Sequence, residues 1–305
     1  MDTFAASMEN APSGNPPNKS NGKISDLAQL TKTRLTLLVV FSASMSFVIG
    51  SGTSIDWIKL LLLILGGFLV TGSANAFNQI MEKDLDKLMD RTQARPLPDQ
   101  RMRTKEAMLI AILFGAVGLF VLTYYMNFIS GVLGLIALLS YTVMYTPLKR
   151  STPFAVFVGA FPGAIPTLLG YVAATGSFDT AAWILFCIQF IWQFPHFWAI
   201  AWVMDEDYKK AGFELLPSKG GRDKSSAFQA FIYAFSLIPA GVTPWVFGMT
   251  GVASLVICTA AGLVFTWQAW KLYQNCNVSS AKTLMFGSFV YLPLVQLTLV
   301  LDRIN

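Results

Sequence analysis

Residues 57–96 read WIKLLLLILGGFLVTGSANAFNQIMEKDLDKLMDRTQARP. Apart from Lys59 no charge occurs until Glu82, and about 20 mainly apolar residues are what an α-helix needs to cross the hydrocarbon core of a bilayer. Asn78, Glu82, Asp86 and Asp90 then recur every four residues. At 3.6 residues per turn that spacing lays them along one slowly drifting stripe of a continuing helix. Three carboxylates on one face at the end of a membrane helix repel one another and call for a cation. Oxygen ligands of this kind suit Mg²⁺, which binds one or two carboxylates together with substrate phosphates and water. Asp84 points to the opposite side and ranks lower. Asn78 lies deeper, where a polar side chain is costly unless it is used. The plain alternative for the acids is a solvated helix end.

Outward from this stretch the same pattern repeats. Apolar runs long enough to span occur at about 35–53, 57–80, 106–126, 128–147, 152–174, 180–203, 226–248, 250–273 and 281–301. Hydrophobic residues make up 54% of the chain and charged residues 13%, about half the charge of an ordinary soluble domain. The expected fold is therefore an all-α integral membrane protein of nine transmembrane helices. Spans 2 and 6 each end in an acidic cluster and run into a long basic loop, which suggests two parallel four-helix halves plus one helix. Residues 25–305 are expected to form a single polytopic domain. Residues 1–24, rich in Asn, Pro, Ser and Gly, read as a disordered tail and not as a secretory signal.

The net charge of +5 does not point to nucleic acid. With nine spans, every Lys and Arg except Lys59 and Arg303 falls on one side of the membrane. The excess of basic residues in cytoplasmic loops puts the N-terminus and both long loops, 81–105 and 204–225, in the cytoplasm. Cys187, Cys258 and Cys276 have no metal-ligand spacing and read as free thiols. A single histidine excludes a multi-histidine metal site.

Cations cluster near the acids. Arg95-Pro96 is expected to end the helix, since the residue before proline is pushed to extended geometry, so that Arg91 and Arg95 fold back over the acidic stripe. Arginine matches phosphate oxygens in a bidentate manner. Lys32 and Arg34 precede span 1, and Tyr145-Thr-Pro-Leu-Lys149-Arg150 follows span 4, at the same level. Carboxylates with Mg²⁺, surrounded by Lys and Arg, are what a diphosphate leaving group needs. The second cluster is Trp192-Gln-Phe-Pro195-His196-Phe-Trp198 followed by Asp205-Glu-Asp207-Tyr208. If that helix is continuous, Asp207 shares a face with His196, about 16 Å along the axis, while Asp205 falls opposite. Pro195 is expected to kink the span. An ionisable His196 inside the membrane is a functional candidate, with a satisfied core histidine as the alternative.

These motifs resemble the UbiA-type intramembrane prenyltransferases, and more finely their haem-farnesylating branch. The resemblance rests on Asn78 through Arg95-Pro96, on Tyr145-Thr-Pro-Leu-Lys149-Arg150, and on Pro162-Gly163-Ala-Ile-Pro166. It rests also on Pro195-His196-Phe-Trp and Asp207-Tyr208-x-x-Ala211-Gly212 with Leu216-Pro217, and covers about residues 25–301. It implies nine helices around a central cavity and Mg²⁺ at Glu82, Asp86 and Asp207. The implied substrates are farnesyl diphosphate and haem B; the products are haem O and diphosphate. It implies catalytic roles for Asn78, Glu82, Asp86, His196 and Asp207, and diphosphate binding by Lys32, Arg34, Arg91, Arg95, Lys149 and Arg150. Asp84, Asp90, Tyr145 and Tyr208 are supporting candidates. His196 could ligate the haem iron or accept a proton from water. One departure is Glu82, where many members of the superfamily carry aspartate. The implied setting is the bacterial cytoplasmic membrane, with the lipid bilayer as partner and a haem A synthase or terminal oxidase assembly factors as further ones, and no nucleic acid. A quinone-type aromatic prenyltransferase is the alternative within the class, and a polytopic transporter the alternative outside it.

Overall fold

Five of the apolar runs open where an Asp or Asn side chain accepts a hydrogen bond from a backbone N–H three residues on: Asp56 from Lys59 at 3.0 Å, Asn127 from Ser130 at 2.8 Å, Asp179 from Ala182 at 3.0 Å, Asp223 from Ser226 at 2.8 Å and Asn277 from Ser280 at 2.9 Å. Each cap satisfies one of the orphan donors of a helix start and fixes where the span begins. The structure is a computed structural model, and it describes residues 22–304. Almost all of the expected 1–24 tail thus lies outside the described residues, and the first helix begins at Lys23.

The helices are α1 (Lys23–Leu30), α2 (Thr33–Gly50), α3 (Trp57–Asp86), α4 (Thr104–Met126), α5 (Phe128–Leu148), α6 (Ala155–Thr175), α7 (Thr180–Val203), α8 (Asp205–Lys210), α9 (Lys224–Val246), α10 (Val252–Asn275) and α11 (Val278–Leu301). Among the described residues nine of them are long and apolar enough to cross a membrane, all but α1 and α8. Each spanning helix packs on the next, and α11 returns to α2, closing a ring; α2 also packs on α6 and α7 on α11. Side chains such as Leu61, Leu109, Phe120, Val143 and Leu263 face outward and exposed. In water such a surface would aggregate; in lipid it is the ordinary exterior, because the backbone of every span is hydrogen-bonded within itself.

Three local features depart from the sequence expectation and shape the interior. α3 stops at Asp86, ten residues before Pro96, where the Thr92 hydroxyl donates to the Asp86 carbonyl at 2.8 Å. Arg95-Pro96 is therefore not the helix terminator, and Asp90 lies beyond the helix and off its stripe. α7 runs unbroken through Pro195 but ends at Val203, and α8 starts anew at Asp205. His196 and Asp207 therefore do not lie on one continuous helix. Finally, α5 widens into a π-helical stretch over Ser140–Tyr145, a local geometry that often accompanies functional sites.

Candidate active site

Within the ring, at the end where α3 meets the 87–103 loop, is a cavity of about 670 Å³. Glu82 and Asp86, one turn apart on α3, line it and are 2% and 1% exposed. Five cations line it with them: Lys32, Arg34, Arg91, Arg95 and Lys149. Arg95 donates to Asp86 Oδ2 at 2.8 Å. The Lys149 ammonium sits against both oxygens of Glu82, donates to Oε2 at 2.7 Å, and lies over the rings of Tyr145 and Phe213 at 5.6 and 5.2 Å. Lys32 donates to Asn78 Oδ1 at 3.1 Å, and the Asn78 amide donates to Thr146 Oγ1 at 3.3 Å. Lys32 reaches inward because its backbone takes the left-handed conformation, φ 48, at the turn between α1 and α2. A non-glycine residue held there costs about 1–3 kcal/mol and persists only where the surrounding structure holds it, here with the Lys32 bond to Asn78.

α1 closes over this end. Gln79 on α3 donates to the carbonyls of Gln29 and Leu30 at 2.7 and 2.9 Å, and Arg101 from the 87–103 loop pairs with Asp26 and with Asp99. Sequence reading found neither α1 nor the Arg101 tie. The only signal was a short alternation of polar and apolar residues at 23–30.

Burial, aided by the neighbouring Arg95 and Lys149, pushes the Lys32 ammonium well below its ordinary value; Glu82 opposes this and Arg91 adds to it. An anion arriving beside Lys32 raises it again. Binding of inorganic diphosphate is therefore expected to take up protons, and its affinity to rise as pH falls through the window between the lowered and the restored value. Titration calorimetry in two buffers of different ionisation enthalpy checks this; identical heats in both would mean that binding takes up no net protons, against the expectation for Lys32.

Not every expected residue converges. Asp207 is not among the cavity-lining residues. Its two carboxylate oxygens accept the backbone N–H groups of Asp90 at 2.8 Å and Arg91 at 3.4 Å, with Lys210 3.7 Å away. It holds the turn that carries Arg91, and the expected Glu82–Asp86–Asp207 metal set is not assembled. Among the described residues no group of three or more His, Cys, Asp or Glu side chains is placed to hold a metal. Asp90 faces outward, 70% exposed in its side chain, and pairs with Lys210. Asp84 is likewise outside, paired with Lys87 at 3.1 Å, and Arg150 donates to the Met81 carbonyl at 2.8 Å away from the cavity. Asp205 pairs with Lys209 and Arg222. Tyr208 lines the cavity with the Arg91 guanidinium 5.9 Å above its ring.

The cavity continues inward to a second, apolar chamber of about 250 Å³; Tyr141, Tyr145, His196, Phe197 and Phe289 line both. The π-helical stretch turns Tyr141 and Tyr145 to the same side, ring centroids 5.3 Å apart. Gly159 on α6 makes room for them, since a Cβ there would meet the Tyr145 ring at 2.6 Å. At the chamber's far end Gln296 links the Ser42 hydroxyl to the Gln189 amide. Sequence reading passed over Gln189, Gln193, Gln296 and Ser42. Isolated polar residues in long apolar runs carry no spacing signal.

The residues fit a hard cation. Asp86 Oδ1 is buried and has no hydrogen-bond partner, which is costly for a carboxylate oxygen unless something positive completes it, and the Glu82 carboxylate one turn away is held by the Lys149 ammonium alone. Two carboxylates match the one or two that Mg²⁺ takes when phosphate oxygens and water fill its remaining positions. Five cations facing two carboxylates leave an imbalance that a multiply charged anion removes. With an apolar chamber behind, this defines the class: an intramembrane protein for a ligand with a polyanionic head and a lipid-soluble body.

The UbiA prenyltransferase family profile matches residues 39–292, and the chain belongs to that family. A protoheme IX farnesyltransferase of Cytophaga hutchinsonii is 48% identical, over 90% of this chain and 96% of the relative. One of Christiangramia forsetii is 46% identical, over 94% and 96%. Among solved structures, a digeranylgeranylglyceryl phosphate synthase shares the fold with a TM-score of 0.78 at 20% identity, covering 92% of this chain and 98% of that one. A UbiA homologue from Archaeoglobus fulgidus bound to GPP and Mg²⁺ superposes with a TM-score of 0.71 at 16% identity, covering 90% and 99%.

Proposed function

We propose that the chain transfers a farnesyl group from farnesyl diphosphate to a vinyl group of haem B with addition of water, giving haem O and diphosphate. The observation that carries the reaction type is the pair of buried carboxylates, Glu82 and Asp86, in a cavity with five basic side chains, with Asp86 Oδ1 left without a partner. The acceptor is taken from the protoheme IX farnesyltransferases that match nearly the whole chain, which favours haem over a quinone precursor and an enzyme over a transporter. The setting is the bacterial cytoplasmic membrane, with the cation-rich end of the ring facing the cytoplasm. A haem A synthase or terminal oxidase assembly factors would receive the product.

Glu82 and Asp86 would hold Mg²⁺, which when bound neutralises diphosphate charge as the leaving group departs. Lys32, Arg91, Arg95 and Lys149 bind the remaining phosphate oxygens. They stand preformed in a buried site, where such charges act more strongly than in water and need little reorganisation. Asn78 holds Lys32 in place. Asp207 acts through the 90–91 turn that carries Arg91. Tyr141, Tyr145, Phe197 and Phe289 line the passage inward and offer ring faces to positive charge developing on the allylic carbon. The apolar chamber keeps bulk water from that carbon until the vinyl group has attacked. The new C–C bond leaves a cation next to the porphyrin. Water adds its oxygen there and releases one proton.

Purified protein in nanodiscs is expected to release diphosphate from farnesyl diphosphate only when haem B is present, and chelation with EDTA is expected to stop it. Release that needs a phenolic acceptor instead of haem B would favour the quinone-type reading. His196→Ala is expected to lose haem O formation by at least about 10²-fold with membrane insertion intact; wild-type turnover would remove His196 from the reaction.

A further inference from the structure

His196 on α7 and Ser288 on α11 lie 92 positions apart and meet in the ring interior, Nδ1 to Oγ, at 2.7 Å. The direction of that bond follows from the other contact of Ser288. Its Oγ is 2.6 Å from the Met285 carbonyl oxygen, and a carbonyl oxygen can only accept. The single hydroxyl proton is therefore spent on Met285, as is common for serine inside a helix, and only lone pairs remain toward His196. Nδ1 must carry the hydrogen and donate. In a neutral imidazole the other nitrogen, Nε2, then holds a free lone pair.

The ring is held in this pose from both sides. Trp192 stacks on it, centroids 4.4 Å apart and 18° from parallel, and Phe289 meets it edge-on at 5.2 Å. The Trp192 indole in turn donates to the backbone carbonyl of Ser288 at 3.1 Å, so residue 288 fixes both the ring and its stacking partner. The two ring nitrogens point away from each other. With Nδ1 turned to α11, and His196 lining both chambers, the Nε2 edge faces the cavity. It has no hydrogen-bond partner among the described residues.

We infer that Ser288 is a positioning residue that sets His196 as the Nδ1–H tautomer, so that Nε2 ligates the iron of the substrate haem. This rests on the haem reading proposed above and deepens it. The alternative role, proton acceptor, is disfavoured by the surroundings. The ring's partners are a hydroxyl, an indole and phenyl rings. An imidazolium there would be a buried charge with no counter-charge. Iron ligation uses the neutral ring and gains from a hydrogen bond on the opposite nitrogen, which fixes orientation and raises ligand basicity.

The test titrates haem B, and separately metal-free protoporphyrin IX, into the full-length protein in nanodiscs, reading Kd and the visible and EPR spectra. Product formation is measured in parallel. Wild type is expected to show a nitrogen-ligated ferric spectrum and to bind haem B more tightly than the metal-free ring. His196→Ala is expected to lose that spectrum and that preference. Ser288→Ala keeps the packing, since only one buried oxygen is removed. It is expected to raise the Kd for haem B by about 10-fold with a mixed spectrum, and to leave metal-free binding unchanged. Ser288→Thr, which keeps the hydroxyl, is expected to restore the wild-type spectrum. If wild type makes haem O but its haem B spectrum equals that of His196→Ala, the ligation is wrong and the reaction stands. If Ser288→Ala matches wild type in Kd and spectrum, the positioning role is wrong. A wild-type protein that binds neither ring overturns the haem reading and this inference together.

Discussion

Replacing both cavity carboxylates, Glu82→Gln with Asp86→Asn, is expected to lower diphosphate release about 10³-fold or more, while the protein still inserts and folds. The shapes of the side chains are kept, so the ring of helices and the cavity should survive. What goes is the charge on two buried carboxylates, one of which, Asp86, has an oxygen, Oδ1, with no partner in the fold, and with it the seat for a cation. Removing one preorganised stabilising group from a buried site commonly costs about 10²–10³, and here two act on the same leaving group. The change also frees Arg95 and Lys149 from their carboxylate partners. Diphosphate binding without Mg²⁺ should therefore weaken little or even strengthen, while turnover falls. Turnover restored by raising Mg²⁺ would mean weakened affinity only. Turnover unchanged at ordinary Mg²⁺ would mean that the carboxylates are not the metal seat. Metal-dependent diphosphate release, measured on wild type and the double variant, separates these outcomes.

The second large effect lies in the framework. Gly170→Ala is expected to destabilise the protein by about 2–3 kcal/mol, although alanine is the better helix former by about 1 kcal/mol. A Cβ at 170 would sit 1.9 Å from the Ala43 carbonyl oxygen on α2. The obstacle is backbone, which cannot rotate away as a side chain can, so α2 and α6 must separate. Overpacking of this kind costs about 1–3 kcal/mol and sometimes more, and in lipid the close approach of small residues is itself what holds helices together. Gly67→Ala is the control, because its Cβ would meet only the end of Val40, at 3.5 Å. Thermal unfolding in detergent should show a lowered transition for Gly170→Ala and none for Gly67→Ala. Equal transitions for both would show that the α2–α6 contact has slack.

The framework was readable in the sequence because bilayer thickness imposes a length. The nine apolar runs coincide with the spanning helices to within a few residues. The four-residue stripe was readable as far as Asp86, because one helix carries Asn78, Glu82 and Asp86. It failed at Asp90, where the period persists in the sequence after the helix has stopped, and no proline or glycine marks the stop. The same silence hid the break at Met204, so the shared face that a continuous helix would give His196 and Asp207 is not formed; Asp207 belongs to α8 and holds the 90–91 turn. Arg34, Arg91, Arg95, Lys32 and Lys149 do converge on the cavity, and Arg150 does not, although it adjoins Lys149. At the end of α5, adjacent side chains diverge by about 100°, and only the fold decides which one enters. Ser288 had no signal at all. A serine in an apolar run looks the same whether it back-bonds to its own helix alone or also receives a histidine from another.

The central claim is that this chain adds a farnesyl group and the elements of water to haem B. The most direct measurement is mass spectrometry of the haem extracted after purified protein is incubated with haem B, farnesyl diphosphate and Mg²⁺. The predicted result is a haem heavier than haem B by one farnesyl group plus water. Recovery of haem B alone, with the prenyl group on an added phenolic acceptor instead, would contradict it.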